Sequence, residues 1–535
     1  MPVSPSHWHY RRIFQPQHLK FCLPNINNPF GIPVCSLLSV LEVVAGCQVQ
    51  RLRGSRDSAR HARPLHSFTG RPHFTFMRML RLVLLLLAGV FQGSGALPPF
   101  GRSLRPYFFF PNATIQFNHG AYGSTPRPVV EAQYEAVARM EASIDEWMNG
   151  PTGYRQCILA ARTIFSSMIG TPLNDTVLVD NASEAINAIL RNFEPPLGAD
   201  EYLFDLSTAY GPFQGLYEWM GSRTGMQVLT ANVSWPVTGP ESFVDPVRAT
   251  LAYAAANSLN VRVAVISHIS AYPSVLLPVR QLVELFHSYS IPVVVDGAHA
   301  LGNIAFDVVG ELGNPEYWFG NAHKWYLASK SSCVLYVRRD RQLPHVPAPA
   351  VVDNVETQDF PDRFIWTGTR DRTPYCAIQA ATAFREALGG EAAVVGYNVG
   401  LARWAEAYLR QLWAVPPMAP PDMHTSMSIV QIPTSNATVC GIVRSTLFAQ
   451  GWSVSGWNEV GNPPIACCES LHCRTTTCTS MLSLFLWLTK LAPLLSHAFF
   501  YCVKIPLSLL PKRLSAVCTG VPRAAGLYGP GSTCA

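Results

Sequence analysis

From residue 97 to residue 461, short apolar runs rich in valine alternate with segments whose apolar residues recur every three or four positions. The first pattern predicts strands at TVLVD (176–180), VRVAVISHI (261–269), IPVVVDGAH (291–299) and SSCVLYVRR (331–339). The second predicts helices at SEAINAILRNF (183–193) and LPVRQLVELFHSYS (277–290). The strand runs carry almost no polar alternation, so both of their faces should be buried. Strands alternating with amphipathic helices imply an α/β fold: a mostly parallel sheet with helices on both faces. Ligands of such sheets bind at the carboxyl ends of the strands, so the residues just after each strand are the informative ones.

The pattern fails at both ends of the chain. Residues 1–76 show no sustained period and are rich in Arg, His, Pro and Ser, as a leader foreign to the α/β core would be. Residues 77–96, MRMLRLVLLLLAGVFQGSGA, place arginines before an apolar run and small residues after it, the layout of a secretory signal peptide cleaved after Ala96. This predicts translation from Met77 or Met79 and a secreted or lumenal protein. An uncleaved 79–96 segment would anchor the chain in a membrane, and loss of the segment would leave it cytoplasmic. After Gly461 a Cys- and Leu-rich tail, 462–535, departs again from the α/β pattern. The expected organisation is a large domain over 97–400, a partial small domain over 401–461, and the tail.

Charge and cysteine follow the same division. The 535 residues carry a net charge of +6, but residues 1–96 hold 11 Lys/Arg against 2 Asp/Glu and residues 462–535 hold 6 against 1. The middle is therefore acidic, which argues against a nucleic-acid partner. Of 14 cysteines only Cys157, Cys333, Cys376 and Cys440 fall within 97–461, too few for a disulfide-dense scaffold. Asn112, Asn174, Asn232 and Asn436 open glycosylation sequons, and a fifth, at Asn181, falls in a turn suited to phosphate.

Three sites carry candidate chemistry. Asp296 ends a run of three valines, where a carboxylate is costly to bury without a cationic partner, unless it caps a helix. Lys324 lies in the apolar and aromatic stretch YWFGNAHKWYL, which would lower its amine pKa unless the chain snorkels to solvent. The turn DNASEAIN leads a strand into a helix whose N-terminus and Ser183 hydroxyl suit an anion. A plain capping box at Ser183 would want Glu where Ile186 stands. One ligand uses all three: a pyridine cofactor bearing an aldehyde for the lysine, a ring nitrogen for the aspartate and a phosphate for the helix.

With these residues in place, the sequence resembles the class V, fold-type I pyridoxal-phosphate enzymes, in the branch of isopenicillin N epimerase-like proteins and fungal hercynylcysteine sulfoxide lyases. FNHGAYGSTPRPV (117–129), VDNASEAINAILRNF, VVVDGAHALGN, NAHKW and WTGTRDRTPY (366–375) follow the family's order from about Phe117 to Asn458. The resemblance implies pyridoxal 5′-phosphate as cofactor, with Lys324 as the Schiff-base lysine and proton-shuttling base and Asp296 as partner of the ring nitrogen. His299 would bond the ring 3′-oxygen and Tyr210 would stack on the ring. Ala182 and Ser183 would hold the phosphate, with Asn321 and His323 beside them. Thr369 would reach the phosphate of a second subunit, which implies a homodimer.

The same resemblance implies an amino-acid substrate altered at its α-carbon, by epimerisation, C–S bond elimination or transamination. No metal is implied. One departure bears on turnover: the arginine-bearing strand with which relatives clamp the substrate carboxylate should follow GWSVSGWNEVGNP, and Arg474 and Arg513 stand in unrelated contexts. The alternative is a cofactor-binding or scaffold protein without efficient catalysis. A desulfurase would need a mobile thiol, for which Cys467 and Cys468 lie near the right place.

Overall fold

The computed structural model describes residues 97–342, 359–431 and 445–453, together with the backbone of 455–457 and 465–469. The leader over 1–76, the signal-like segment over 77–96, Asn436, Cys440 and nearly all of the 462–535 tail lie outside the described residues.

Seven strands form the main sheet in the order β2-β8-β7-β6-β5-β3-β4. They are β2 (Thr176–Val179), β3 (Glu201–Leu206), β4 (Gln227–Ala231), β5 (Asn260–Ser267), β6 (Val293–Asp296), β7 (Tyr317–Asn321) and β8 (Cys333–Val337). Strands β4, β3, β5, β6 and β7 pair in parallel, while β8 runs antiparallel between β7 and β2. The mostly parallel sheet expected from the apolar runs is thus present, with one reversed strand. Parallel pairing brings the carboxyl ends of β2, β3, β5, β6 and β7 to one edge.

Alternation along each strand feeds two apolar layers. Leu178, Phe204, Ile266, Val293 and Val295 join one core with helices α1 (Arg127–Ala142), α2 (Tyr154–Met168), α5 (Glu241–Ala256) and α6 (Val279–Ser288). Val177, Val179, Leu203, Val265 and Val294 join the other with α3 (Ala182–Leu190) and α4 (Gly211–Thr224). A side-chain period of two on a doubly covered sheet produces this division. Each fully buried Val, Leu or Phe stabilises the fold by about 1.5–3 kcal/mol before entropy is counted.

The residues at the C-terminal side form a separate antiparallel sheet, ordered β11-β12-β9, from β9 (Met427–Gln431), β11 (Ser455–Trp457) and β12 (Ile465–Glu469). Helix α8 (Gly390–Trp413) lies on it, with the Ser428 hydroxyl donating to the Ala402 carbonyl at 2.7 Å. Because β12 is its central strand, this sheet continues past Gly461, where the sequence changes character. A short strand, β1 (Ile115–Gln116), pairs in parallel with β10 (Trp452–Ser453), and Phe117 stacks on Trp452 with centroids 5.7 Å apart.

A disulfide joins Cys157 on α2 to Cys376, the last residue of α7 (Thr373–Cys376), across 219 residues of sequence. Nothing in the spacing of four scattered cysteines identifies this pair. Cross-linking so long a loop removes entropy from the unfolded chain and stabilises the fold by about 2–4 kcal/mol.

Candidate active site

A cavity of about 200 Å³ opens where the parallel strands end. Of the nine residues implicated by the sequence, eight line it: Ala182 and Ser183 from the first turn of α3, Tyr210 before α4, Asp296 at the end of β6, His299, Asn321 at the end of β7, and His323 and Lys324. They come from four separate stretches of chain, and the common edge of the sheet assembles them. Thr369, the ninth, is exposed and does not line the cavity.

The turn into α3 differs in register from the capping box considered at Ser183. Asn181, in an extended conformation, is the N-cap, and its side-chain oxygen accepts from the Glu184 amide at 2.9 Å. Glu184 returns a carboxylate oxygen to the Asp180 amide. A glutamate therefore does return to the chain ahead of the helix, two residues earlier than Ile186 and at the residue before the N-cap, and the Ser183 hydroxyl is not spent on capping. The Ala182 amide donates to Asn321 Oδ1 at 2.9 Å, which ties the start of α3 to the end of β7. Within this first turn, that bond leaves Ser183 rather than the Ala182 amide as the group best suited to an anion.

Asp296 lies opposite Ser267 on β5 and Phe319 on β7. Its Oδ1 accepts from the Ala298 amide at 2.9 Å. Burial pushes its pKa up to about 6, against the opposing pull of the Ala298 bond and the Lys324 charge. Burial outweighs the Ala298 bond and the Lys324 charge, so the carboxylate is short of positive charge in its surroundings.

Lys324 is 9% exposed, and its Nζ lies 3.1 Å from His299 Nε2. Burial first, and then the lysine charge, hold the His299 pKa well below its ordinary value, so this imidazole is neutral. Facing an ammonium, which only donates, Nε2 would accept and the ring hydrogen would sit on Nδ1. That Nδ1 is buried with no partner among the described residues. Burial likewise lowers the His323 pKa to about 4, and its Nδ1 lies 3.1 Å from the Ser332 carbonyl.

Three contributions were not evident from the sequence. Tyr122 lines the cavity mouth and is 74% exposed, on a single helical turn, His119–Tyr122. Ser267 lines the floor as the register partner of Asp296. Arg370 bridges Asp180 and Glu184, the latter at 3.0 Å, and so fastens the 366–375 loop to the turn ahead of α3. Exposed Thr369 sits beside this clamp.

A buried amine, a carboxylate lacking its cation, an orphaned imidazole N–H and a helix N-terminus make a donor set that fits a phosphorylated pyridine aldehyde. Residues 117–439 match the family described as Aminotransferase class-V. The chain belongs to that family.

An L-cysteine desulfhydrase of Arabidopsis thaliana is 29% identical over 327 residues, covering 60% of this chain and 71% of that protein. The hercynylcysteine sulfoxide lyase of Schizosaccharomyces pombe is 21% identical over 346 residues, covering 63% and 84%. Among solved structures, the apo cysteine desulfurase of Thermococcus onnurineus NA1 superposes with a TM-score of 0.59 at 15% identity, covering 74% of this chain and all of that one. The class-V chain thus has the fold-type I architecture, uses pyridoxal 5′-phosphate and acts on amino acids.

Proposed function

We propose that this class-V enzyme cleaves a C–S bond at the β-carbon of a small amino acid by β-elimination. The convergence of Lys324, Asp296 and His299 in one buried cavity supports chemistry at the α-carbon, and the relatives named as L-cysteine desulfhydrase and hercynylcysteine sulfoxide lyase support C–S cleavage. Pyridoxal phosphate, when bound, supplies an electron sink for the pair left at the α-carbon. Asp296 would supply the buried negative charge that keeps a proton on the ring nitrogen, and His299 would offer its Nδ1–H to the ring oxygen. The α3 N-terminus and Ser183 would hold the phosphate, and Tyr210 would flank the ring. Lys324 would be the amine that holds the cofactor's aldehyde carbon and, as the base lining the cavity, would take the substrate α-proton while sulfur departs with its bonding electrons.

The names of the relatives favour sulfur chemistry, and among the described side chains no accessible thiol stands beside the cavity, those of Cys467 and Cys468 lying outside them. Cys333, the free cysteine among the described side chains, is fully buried in β8, and burial drives its pKa well above the ordinary value. With L-cysteine as substrate, water enters and pyruvate, ammonia and hydrogen sulfide leave in equal amounts, with no external oxidant. Quantifying the three products tests this. Equimolar pyruvate and sulfide is the expected result. Alanine as the co-product of sulfur release would overturn it in favour of desulfuration, and α-proton exchange alone would favour epimerisation.

We also propose that the protein matures in the secretory pathway and works as a homodimer. The Cys157–Cys376 disulfide belongs to an oxidising compartment. The sequons at Asn112, Asn174 and Asn232 all sit at exposed positions. The exposed Thr369, held beside the phosphate turn by Arg370, supports a site completed by a second subunit. Peptide mapping of the natural protein should find glycans on these asparagines and Cys157 oxidised. Bare asparagines with a reduced Cys157 would place it in the cytosol, and a single-chain mass by sedimentation would overturn the dimer.

A further inference from the structure

The segment following β1 crosses the lysine loop and touches it at several points. Gly123 has φ +73, and a Cβ there would lie 1.7 Å from the His323 carbonyl oxygen, so only glycine permits the approach. The Thr125 hydroxyl donates to the Ala328 carbonyl at 3.1 Å, and the Lys330 ammonium donates to the Gly123 carbonyl at 3.3 Å. Another contact reaches the lysine itself. His119 Nε2 lies 3.0 Å from the Lys324 carbonyl oxygen, across 205 residues of sequence.

The His119 ring is 2% exposed and tilted against Trp325, with centroids 5.1 Å apart. Burial is the main cause that lowers its pKa to about 4, so it is neutral at working pH. A carbonyl oxygen only accepts, so Nε2 must carry the hydrogen and donate it. Lys324 is thereby held at both ends: its peptide by His119 and its amine by His299.

We propose that His119 is a positioning residue for Lys324, fixing the lysine peptide by its Nε2–H and hence the point from which Nζ reaches cofactor and substrate. The proposal rests on Lys324 being the cofactor lysine. A donor to the peptide of a reacting residue sets the origin of its side chain, and misplacement of about 1 Å at a reacting group costs on the order of 10²-fold in rate.

The test follows the rate at which pyridoxal phosphate is trapped on Lys324 by borohydride, read by peptide mass spectrometry, with acylation of Lys330 as an internal control. H119F keeps an aromatic ring on Trp325 but no donor, and H119A removes both. H119Q restores an N–H at similar reach. Trapping by H119F and H119A should fall about tenfold to a hundredfold, with Lys330 acylation unchanged, kcat reduced and KM near wild type. H119Q should recover most of the loss. Wild-type trapping by folded H119F, no recovery in H119Q, or failure of both H119F and H119A to fold would overturn the proposal, leaving His119 a packing residue. An adduct absent from Lys324 in the unsubstituted protein would instead overturn the cofactor reading, so the two failures are distinguishable.

Discussion

Replacing Lys324 by alanine is expected to abolish borohydride-stable attachment of pyridoxal phosphate and to lower turnover by about 10⁴-fold or more. The size of the loss reflects two duties on one amine. Lys324 is the lysine lining the cavity, with Nζ 3.1 Å from neutral His299, so its removal deletes both the covalent tether and the base. Cofactor should still bind without a covalent bond, because Asp296, Ser183 and His299 line the same cavity and are untouched. The measurement compares adduct mass and cofactor occupancy in both proteins. A reduced covalent adduct on Lys330, six residues on, at wild-type yield would remove Lys324 from this role.

Legibility of the site in the sequence followed physical cost. Asp296 stands out because a carboxylate closing three buried valines has few inexpensive explanations. Lys324 stands out for the same reason, in aromatic surroundings where an ammonium loses water. Four of the seven strands are foreshadowed by uniformly apolar runs, since strands covered on both faces dispense with polar alternation, while β3, β4 and β7 were not predicted.

What stayed hidden depends on backbone geometry or on distant pairing. Asn181 and Ser183 are both good caps by composition, and only the extended conformation at Asn181 decides between them. Cys157 and Cys376 meet because α2 and α7 pack together, a fact about tertiary structure with no local trace. His119 was visible as a letter in the FNHGAYG motif, yet its function is a bond to a carbonyl 205 residues away. A bond to a backbone carbonyl leaves no mark on the partner's side chain, so no reading of residue types could supply it.

Asp296→Asn should separate stability from catalysis, moving them in opposite directions. In the protein without cofactor, burial raises the Asp296 pKa from 3.8 to about 6. The folded state therefore binds the proton more tightly than the unfolded chain. Below about pH 4 both states are protonated and the residue is no burden. As pH rises toward 6 the unfolded chain ionises first, and stability is lost; above 6 the loss levels off near ~3 kcal/mol, at about 1.4 kcal/mol per pKa unit.

Asparagine keeps the shape and still accepts from the Ala298 amide, but it does not ionise. The cofactor-free variant should thus be more stable than the parent at pH 7 by up to about 3 kcal/mol, and the gap should close by pH 4. Adding pyridoxal phosphate should reverse the ranking of the ligand-induced stabilisation, because a ring N–H supplies the positive partner that the parent's carboxylate lacks and the amide cannot use. Exchange of the substrate α-proton in the variant should fall by about 10²–10³-fold, the scale of removing one preorganised electrostatic partner. Denaturant midpoints across pH 4–8, with and without cofactor, and deuterium exchange at the α-carbon measure both halves. A variant less stable than the parent at pH 7, or one exchanging at the parent's rate, would show that the charge of Asp296 is compensated within the chain and that another group anchors the ring nitrogen.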